Sequence, residues 1–335
     1  MRATIKDVSR EAGVSIKTVS RVLNRERYVG AETRARVEAA MARLNFRPSL
    51  AARSLAGRRS YQIALVCDNP SPNYVFEMQA GVRDRCEADG VRMIAQPYDR
   101  GSDRLVGEIE ALVDTTALDG IVLTPPVCDD EAVLALLAAR GVRVARVSPG
   151  TRVEGAPSVF IDNPRAAAEM TAHLIALGHR RIAHIAGPQE CATSAQRFAG
   201  YRAALQAAGT FDPDLVVEGR YDFASGAEAT AALLDRADPP TAIFAGSDDM
   251  AAGALTTAHR RGVKVADALS IAGFGDDALA GYVWPPLTTV RQPVRAFGWN
   301  AADMLLSAAD DDAPAERREL TYEIIVRDST GPVSR

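Results

Sequence analysis

Between residues 61 and 149, four short apolar runs stand out: QIALVC (62–67), VRMIAQPY (91–98), DGIVLTPP (119–126) and VRVARVSP (142–149). Amphipathic stretches such as FEMQAGVRDRCEADG and RLVGEIEALVDTT separate them. Strands that are apolar at successive positions, not merely at alternate ones, must be buried on both faces. That calls for a parallel sheet with helices on each side. The pattern restarts at VFIDN (159–163) and continues with a helix over 164–177, RIAHIAG (181–187), a helix over 196–208 and LVVEGR (215–220). A helix over 225–235, TAIFAGS (241–247), a helix over 248–260 and LSIAGF (269–274) complete it. The fold class is therefore α/β, with two doubly wound lobes forming a clamshell whose cleft lies beyond the carboxyl ends of the strands. TTVRQP (288–293) is expected to cross back to the first lobe, followed by a helix from about Val294 to Ala308 and one last strand, LTYEIIVRD. Lobe 1 is expected to take residues 61–160 plus 291–320, and lobe 2 residues 161–290 plus 321–335.

The first 60 residues have a different texture. In TIKDVSREAGVSIKTVSRVLN (4–24), Ile5, Val8 and Ala12 recur on one face of a short helix. Gly13 breaks it, and Ser15 is placed to cap a second helix whose Val19, Val22 and Leu23 face inward. Two short helices joined by a tight glycine turn read as helix-turn-helix. The outward face of the second carries Ile16, Lys17, Ser20, Arg21 and Asn24, a basic and hydrogen-bonding surface suited to base edges in a major groove. An ordinary helical hairpin with a solvated basic face is the other reading of these residues. A third helix from about Ala31 to Leu44 buries Val37, Met41 and Leu44, with Arg34, Arg36 and Arg43 directed at phosphates. In FRPSLAARSLAGRRS, Pro48 and Gly57 bracket one short helix, Ser49–Ala56, too short to stand alone in water. It reads either as a basic linker or as a helix that folds on DNA and, paired with its twin, wedges Leu55 into the minor groove. The head is thus expected over 1–47, the hinge over 48–60 and the core over 61–335.

Charge separates the readings of the head. The chain of 335 residues has net charge −4, which alone argues against nucleic acid. Residues 1–60, however, hold 14 basic and 5 acidic residues, and the remainder 25 basic and 38 acidic. A basic arm on an acidic body is the asymmetry expected of a DNA-binding head on a core of another purpose. Four scattered cysteines (Cys67, Cys86, Cys128, Cys191) match no metal-ligand spacing, and no metal or cofactor is expected. The longest run free of Asp, Glu, Lys and Arg is the 13 residues Ala278–Val290, too short to span a bilayer. With a charged N-terminus unlike a signal peptide, the expectation is a cytoplasmic protein without membrane contact.

TIKDVSREAGVSIKTVSRVLN, RPSLAARSL, IDN, LGHRRIAHIAG, RFAGY, SDDMAAGAL and PPLTTVRQP together resemble the successive signatures of the LacI/GalR family of bacterial repressors. The resemblance implies a homodimer with helix-turn-helix heads, hinge helices and a two-lobed core like periplasmic sugar-binding proteins. A small molecule in the cleft would alter the lobe angle, and with it the pairing of the hinges on a double-stranded DNA operator. It implies that Ile16, Lys17 and Arg21 read bases, with Thr18 and Ser20 nearer the backbone, Thr4, Ser15 and Asn24 also among the DNA contacts, Ala52 at the hinge pair and Leu55 as the wedge. The hinge here begins Pro48-Ser49, not Pro-Asn, and serine caps a helix about as well. No heptad tail follows Val326, so a dimer is expected.

For the effector, the resemblance points to Arg197, Tyr221 as a stacking aromatic, Tyr74 in the first lobe, and Ser148 and Asp276 at cleft loops. The usual Asn-Asp pair is Ser247-Asp248, and the usual Gly-Phe-Asp-Asp is Gly273-Phe274-Gly275-Asp276, so a ligand-gripping carboxylate is missing at 275. Trp284 offers a further stacking face, while Asp248 and Asp249 equally suit capping of the helix that follows. A sugar is the expected effector and a purine corepressor the alternative. An enzyme with a basic arm is the reading from another class. Its support is Gly273-x-Gly275-x-x-Ala278, but Asp276 and Asp277 would stand where a pyrophosphate needs donors. His173, His179, His184 and His259 lack an evident nucleophile, so no catalytic residues are assigned; His179 is expected in an αβ turn.

Overall fold

The computed structural model describes residues 3–23, 28–46, 60–98, 103–151, 153, 155–307 and 315–333. They form two compact units, Met1–Tyr61 and Gln62–Arg335. In the first, α1 (Ile5–Ala12), α2 (Ile16–Leu23) and α3 (Ala31–Arg43) enclose a small core of Val8, Ala12, Val19, Val22, Val37 and Ala40. These are the positions that the helical spacing predicts for α1 and α2. The Ser49–Ala56 hinge lies outside the described residues.

The second unit holds two six-stranded sheets. The first comprises β1 (Gln62–Val66), β2 (Arg92–Gln96), β3 (Gly120–Leu123), β4 (Val144–Val147), β5 (Ser158–Phe160) and β11 (Arg317–Glu319), in the order β11-β5-β4-β3-β1-β2. All its pairs are parallel. The second comprises β6 (Ile182–Ala186), β7 (Val216–Glu218), β8 (Ala242–Ala245), β9 (Ser270–Gly275), β10 (Thr288–Arg291) and β12 (Glu323–Ile325), in the order β12-β10-β9-β8-β6-β7. Only its edge strand β12 runs antiparallel.

The apolar runs are buried on both sides, as their composition requires. In β1, Ile63 and Leu65 join one core while Ala64 and Val66 join the opposite one. Helices α4 (Pro72–Asp89) and α12 (Val294–Ser307) cover the first face, and α5 (Leu105–Thr115) and α6 (Glu131–Ala139) supply Ile109, Leu112, Val133 and Leu137 to the second. In the other sheet Ala242 and Phe244 face α7 (Asn163–Ala176) and α8 (Ala192–Ala207). There Ile243 and Ala245 face α9 (Phe223–Leu234) and α10 (Asp248–Arg260). A short helix, α11 (Ala278–Tyr282), follows β9. Each large side chain buried this way contributes about 1.5–3 kcal/mol relative to exposure.

The connections correct two expectations. The second set of strands does not start at VFIDN: Val159 pairs with Val147 of β4 and packs in the first sheet, and the chain crosses after Phe160, where lobe 1 was expected to end. LTYEIIVRD is not one strand. Leu320 N–H bonds to Phe160 O beside β11, and four residues later Ile324 is paired with Val290 of β10 in the other sheet. Each sheet had an edge strand whose outer hydrogen-bonding groups needed a partner, and the terminal chain is long enough to satisfy both in turn.

Candidate ligand cleft and nucleic-acid interface

Helix α1 begins at Thr4, whose backbone N–H and hydroxyl both donate to the Asp7 carboxylate at 2.9 and 2.7 Å. Those bonds hold Asp7 below the usual carboxylate range. Gly13 ends the helix at φ +63°, a conformation that costs a residue with a Cβ about 1–2 kcal/mol. Val14 N–H then bonds to Ser9 O at 3.1 Å, closing the turn. Ser15 caps α2 as expected: its hydroxyl accepts from Thr18 N–H at 3.1 Å and lies 2.9 Å from Thr18 Oγ1. With Val19 and Val22 buried, Ile16, Lys17 and Arg21 are left exposed on the far side of α2, and Thr18 and Ser20 flank them half-buried. Ile16 is thus an exposed apolar side chain among cations on this face. Arg43 ties α3 to Glu11 of α1 at 3.0 Å. Of the expected DNA contacts, Asn24, Ala52 and Leu55 lie outside the described residues.

In the larger unit, the loops beyond the carboxyl ends of both sheets enclose one cavity. The first lobe contributes Asn69, Ser71, Tyr74, Pro125 and Ser148. The second contributes Thr193 and Arg197 from α8, Tyr221, Ser247, Asp249, Phe274 and Asp277, with Gln292 at the crossover. The space open to the centre of a water molecule is about 60 Å³, which corresponds to about four to six waters.

Arg197 is the organising cation. It is buried, and its donors go to neutral oxygens: Asn163 Oδ1 (3.2 Å), the Gly246 carbonyl (2.6 Å) and Gln292 Oε1 (3.2 Å). Its guanidinium lies 3.8 Å from the centre of the Phe274 ring and 5.8 Å from that of Tyr221. Tyr221 is 8% exposed, sits at φ +61°, and its buried hydroxyl has no hydrogen-bond partner. Its ring rests directly on Gly187, where a Cβ would fall 2.1 Å from the ring. Burial pushes the Tyr74 phenol well above its ordinary pKa. Ser148, at φ +46°, follows β4, where fully buried Arg146 donates to the Thr151 carbonyl at 3.0 Å and pairs with Asp129. That network holds the loop carrying Ser148 against the cleft.

Two carboxylates complete the wall. Asp277 accepts from Ser71 Oγ at 2.6 Å and Asn73 Nδ2 at 2.9 Å, so a group of the second lobe is held at the N-terminus of α4 in the first. The helix dipole there favours a negative charge. Burial, and then repulsion from Asp277, raise the pKa of Asp249.

Three expected effector contacts are not on this wall. Asp248 is fully buried behind it, accepting from Thr289 Oγ1 at 2.5 Å and Asp277 N–H at 2.9 Å, with burial pushing its pKa up to about 7. Asp276 points away, neutralised by Arg291 and Arg327 at 2.6 Å each. Trp284 is 77% exposed and lines no part of the cavity. Tyr74, Ser148, Arg197, Tyr221 and Ser247 do line it, Ser247 also capping α10 by accepting from Met250 N–H. Sequence reasoning missed Ser71, Asp277 and Gln292 as wall residues. The Gln in TTVRQP and the second Asp in GFGDD were visible signals, whereas nothing around Ser71 marks it. His179 occupies the turn after α7, bonded to Thr241 and Ser270 at 2.9 Å each. Among the described residues no group of three or more His, Cys, Asp or Glu is placed to hold a metal ion, and no helix is long and apolar enough to cross a membrane.

Residues 4–49 match the family described as bacterial regulatory proteins, lacI family, and residues 171–330 match a periplasmic binding protein-like domain. The chain is 33% identical over 343 residues to the HTH-type transcriptional regulator DegA of Bacillus subtilis (strain 168), covering all of both chains. It belongs to the lacI family. A lac repressor dimer bound to operator and an anti-inducer superposes with a TM-score of 0.82 at 28% identity, covering 99% of this chain and 100% of that one. The transcriptional regulator CelR in complex with cellobiose superposes at 0.74 with 31% identity, covering 98% and 100%. The lacI-family head makes this chain a DNA-binding transcriptional regulator. Gly275 lies on the wall, where Asp249 and Asp277 supply the acidic groups.

Proposed function

We propose that the protein is a cytoplasmic repressor that binds a pseudo-palindromic operator as a homodimer, its affinity set by a sugar or sugar derivative held between the lobes. One observation carries the ligand half of this reading. The cavity is walled by both lobes, and Tyr221, one of its wall residues, has a buried hydroxyl without a hydrogen-bond partner. A group of that kind costs about 1–3 kcal/mol until something bonds to it. A ligand that does so while touching Ser71 and Tyr74 on one side and Arg197 on the other couples its own binding to the lobe angle.

A sugar suits the wall better than a purine. One face of Phe274 is already covered by Arg197 and the Tyr221 ring rests on Gly187, so neither ring is free on both sides to stack with a base. Exposed Tyr282 and Trp284, with Phe223 at the start of α9, provide apolar surface for a second copy. The DNA half rests on Ile16, Lys17 and Arg21 and on the basic head. Arg21→Ala should weaken operator binding by about 1–3 kcal/mol and relax one base position. Equal weakening on random DNA would make Arg21 a phosphate contact only. The decisive experiment is an operator shift assay with the full chain across a panel of sugars and purines. A purine-only response would reject the sugar reading, and operator affinity unchanged in every condition would show that the cleft is not a switch.

A further inference from the structure

We infer that the effector is a single-ring polyol, uncharged or carrying an amine, and that Asp249 and Asp277 bar its phosphorylated and carboxylated counterparts. This rests on the sugar reading above and narrows it by charge and size.

An ionised carboxylate only accepts hydrogen bonds, so whatever meets it must donate. Hydroxyl and ammonium groups donate; a phosphate dianion and a carboxylate do not. Asp277 accepts from Ser71 and Asn73 of the opposite lobe, so its oxygens are fixed as acceptors at the cleft. Asp249 stands close enough to feel that charge. An anionic substituent at this end would be brought against two carboxyl groups, where burial and then repulsion from Asp277 already raise the pKa of Asp249. Arg197 does not offset this, being one cation against two carboxylates, with donors already directed at Asn163, Gly246 and Gln292. What the wall lacks is a donor facing the acids and a partner for the Tyr221 hydroxyl. A ring bearing several hydroxyls supplies both. The open space of about 60 Å³ holds about four to six waters, room for one ring's hydroxyls and not for two rings.

The test is a thermal-shift and operator-affinity series on the full chain with neutral monosaccharides, their 2-amino counterparts, their uronic acids, their phosphate esters and the matching disaccharides. At least one neutral or amino monosaccharide should shift operator affinity tenfold or more, with its acid and phosphate forms inert at the same concentration. In Asp249→Asn the anionic form of that sugar should gain at least tenfold over wild type; Asp277→Asn serves if the first variant does not fold. An anionic sugar binding better than its neutral counterpart overturns the inference and leaves the sugar reading standing, as does a disaccharide outperforming every single ring. Variants that gain nothing for anions overturn the charge argument. A panel silent throughout, with operator binding intact, overturns the sugar reading and the inference with it.

Discussion

Replacing Gly187 by alanine tests the geometry of the cleft with one methyl group. The new Cβ would lie 2.1 Å from Tyr221 Cζ and 2.4 Å from its hydroxyl oxygen. The ring must retreat by about 1.4 Å to restore an ordinary carbon–carbon contact near 3.5 Å. Gly187 is not among the residues with positive φ, so the backbone accepts alanine without strain and the cost is steric alone. The ring cannot simply swing away, because Tyr221 is nearly buried and fixed at its own positive φ. Overpacking of this kind costs about 1–3 kcal/mol, or a melting temperature lower by several degrees for a unit of this size. The displaced ring also intrudes on the cavity, so the response to effector should fall while operator binding without effector is kept. Urea unfolding of G187A, Y221A and the double variant forms a cycle in which the two changes should be strongly non-additive, Y221A rescuing much of the G187A loss. Additive losses, or a G187A protein with wild-type stability and response, would mean that the Tyr221 ring does not rest on residue 187.

Ser15→Ala removes the cap of α2 and should cost about 1 kcal/mol of head stability, weakening operator and random DNA alike; altered base preference in a binding-site selection would instead make Ser15 a reader of sequence. Arg197→Ala orphans the buried Gly246 carbonyl, at about 1–3 kcal/mol, and should abolish the effector response without abolishing DNA binding; a normal response excludes Arg197 from the site. Asp248, with its pKa raised from 3.8 to about 7, retains a proton in the folded state that the unfolded chain releases. Its stabilising contribution is therefore complete below about pH 4 and lost as pH rises through 7, on the order of a few kcal/mol. Asp248→Asn should be less sensitive, so its urea midpoint relative to wild type should rise between pH 4 and 8. Parallel profiles would show that Asp248 stays ionised throughout.

The head was legible because its determinants are local. Helical spacing placed Val8, Ala12, Val19 and Val22 in the core, Gly13 marked the left-handed turn, and Ser15 capped the helix it precedes. The two sheets were legible for a related reason, since continuous apolar runs admit burial on both faces and little else. Membership of β5 was not, because a strand's composition records that it is buried and not which sheet buries it. The same holds for LTYEIIVRD, one apolar-rich segment divided between two edges three residues apart.

The cleft divides along the same line. Arg197 and Tyr221 were singled out by the family resemblance, and both are on the wall. Choosing among the four aspartates at 248, 249, 276 and 277 could not be done from the sequence. Each has a neighbour of the same type, and one residue of backbone rotation decides whether a carboxylate faces the cavity, the core or an arginine. Thr289 and the Asp277 amide draw Asp248 inward, Arg291 and Arg327 draw Asp276 outward, and Ser71 and Asn73 of the opposite lobe hold Asp277 at the cleft. The sequence by itself determined that there would be a basic head, two doubly wound lobes and a polar cleft between them. Which acids that cleft presents was decided by partners 15 to 206 residues away in the chain, and only the tertiary structure brings those partners together.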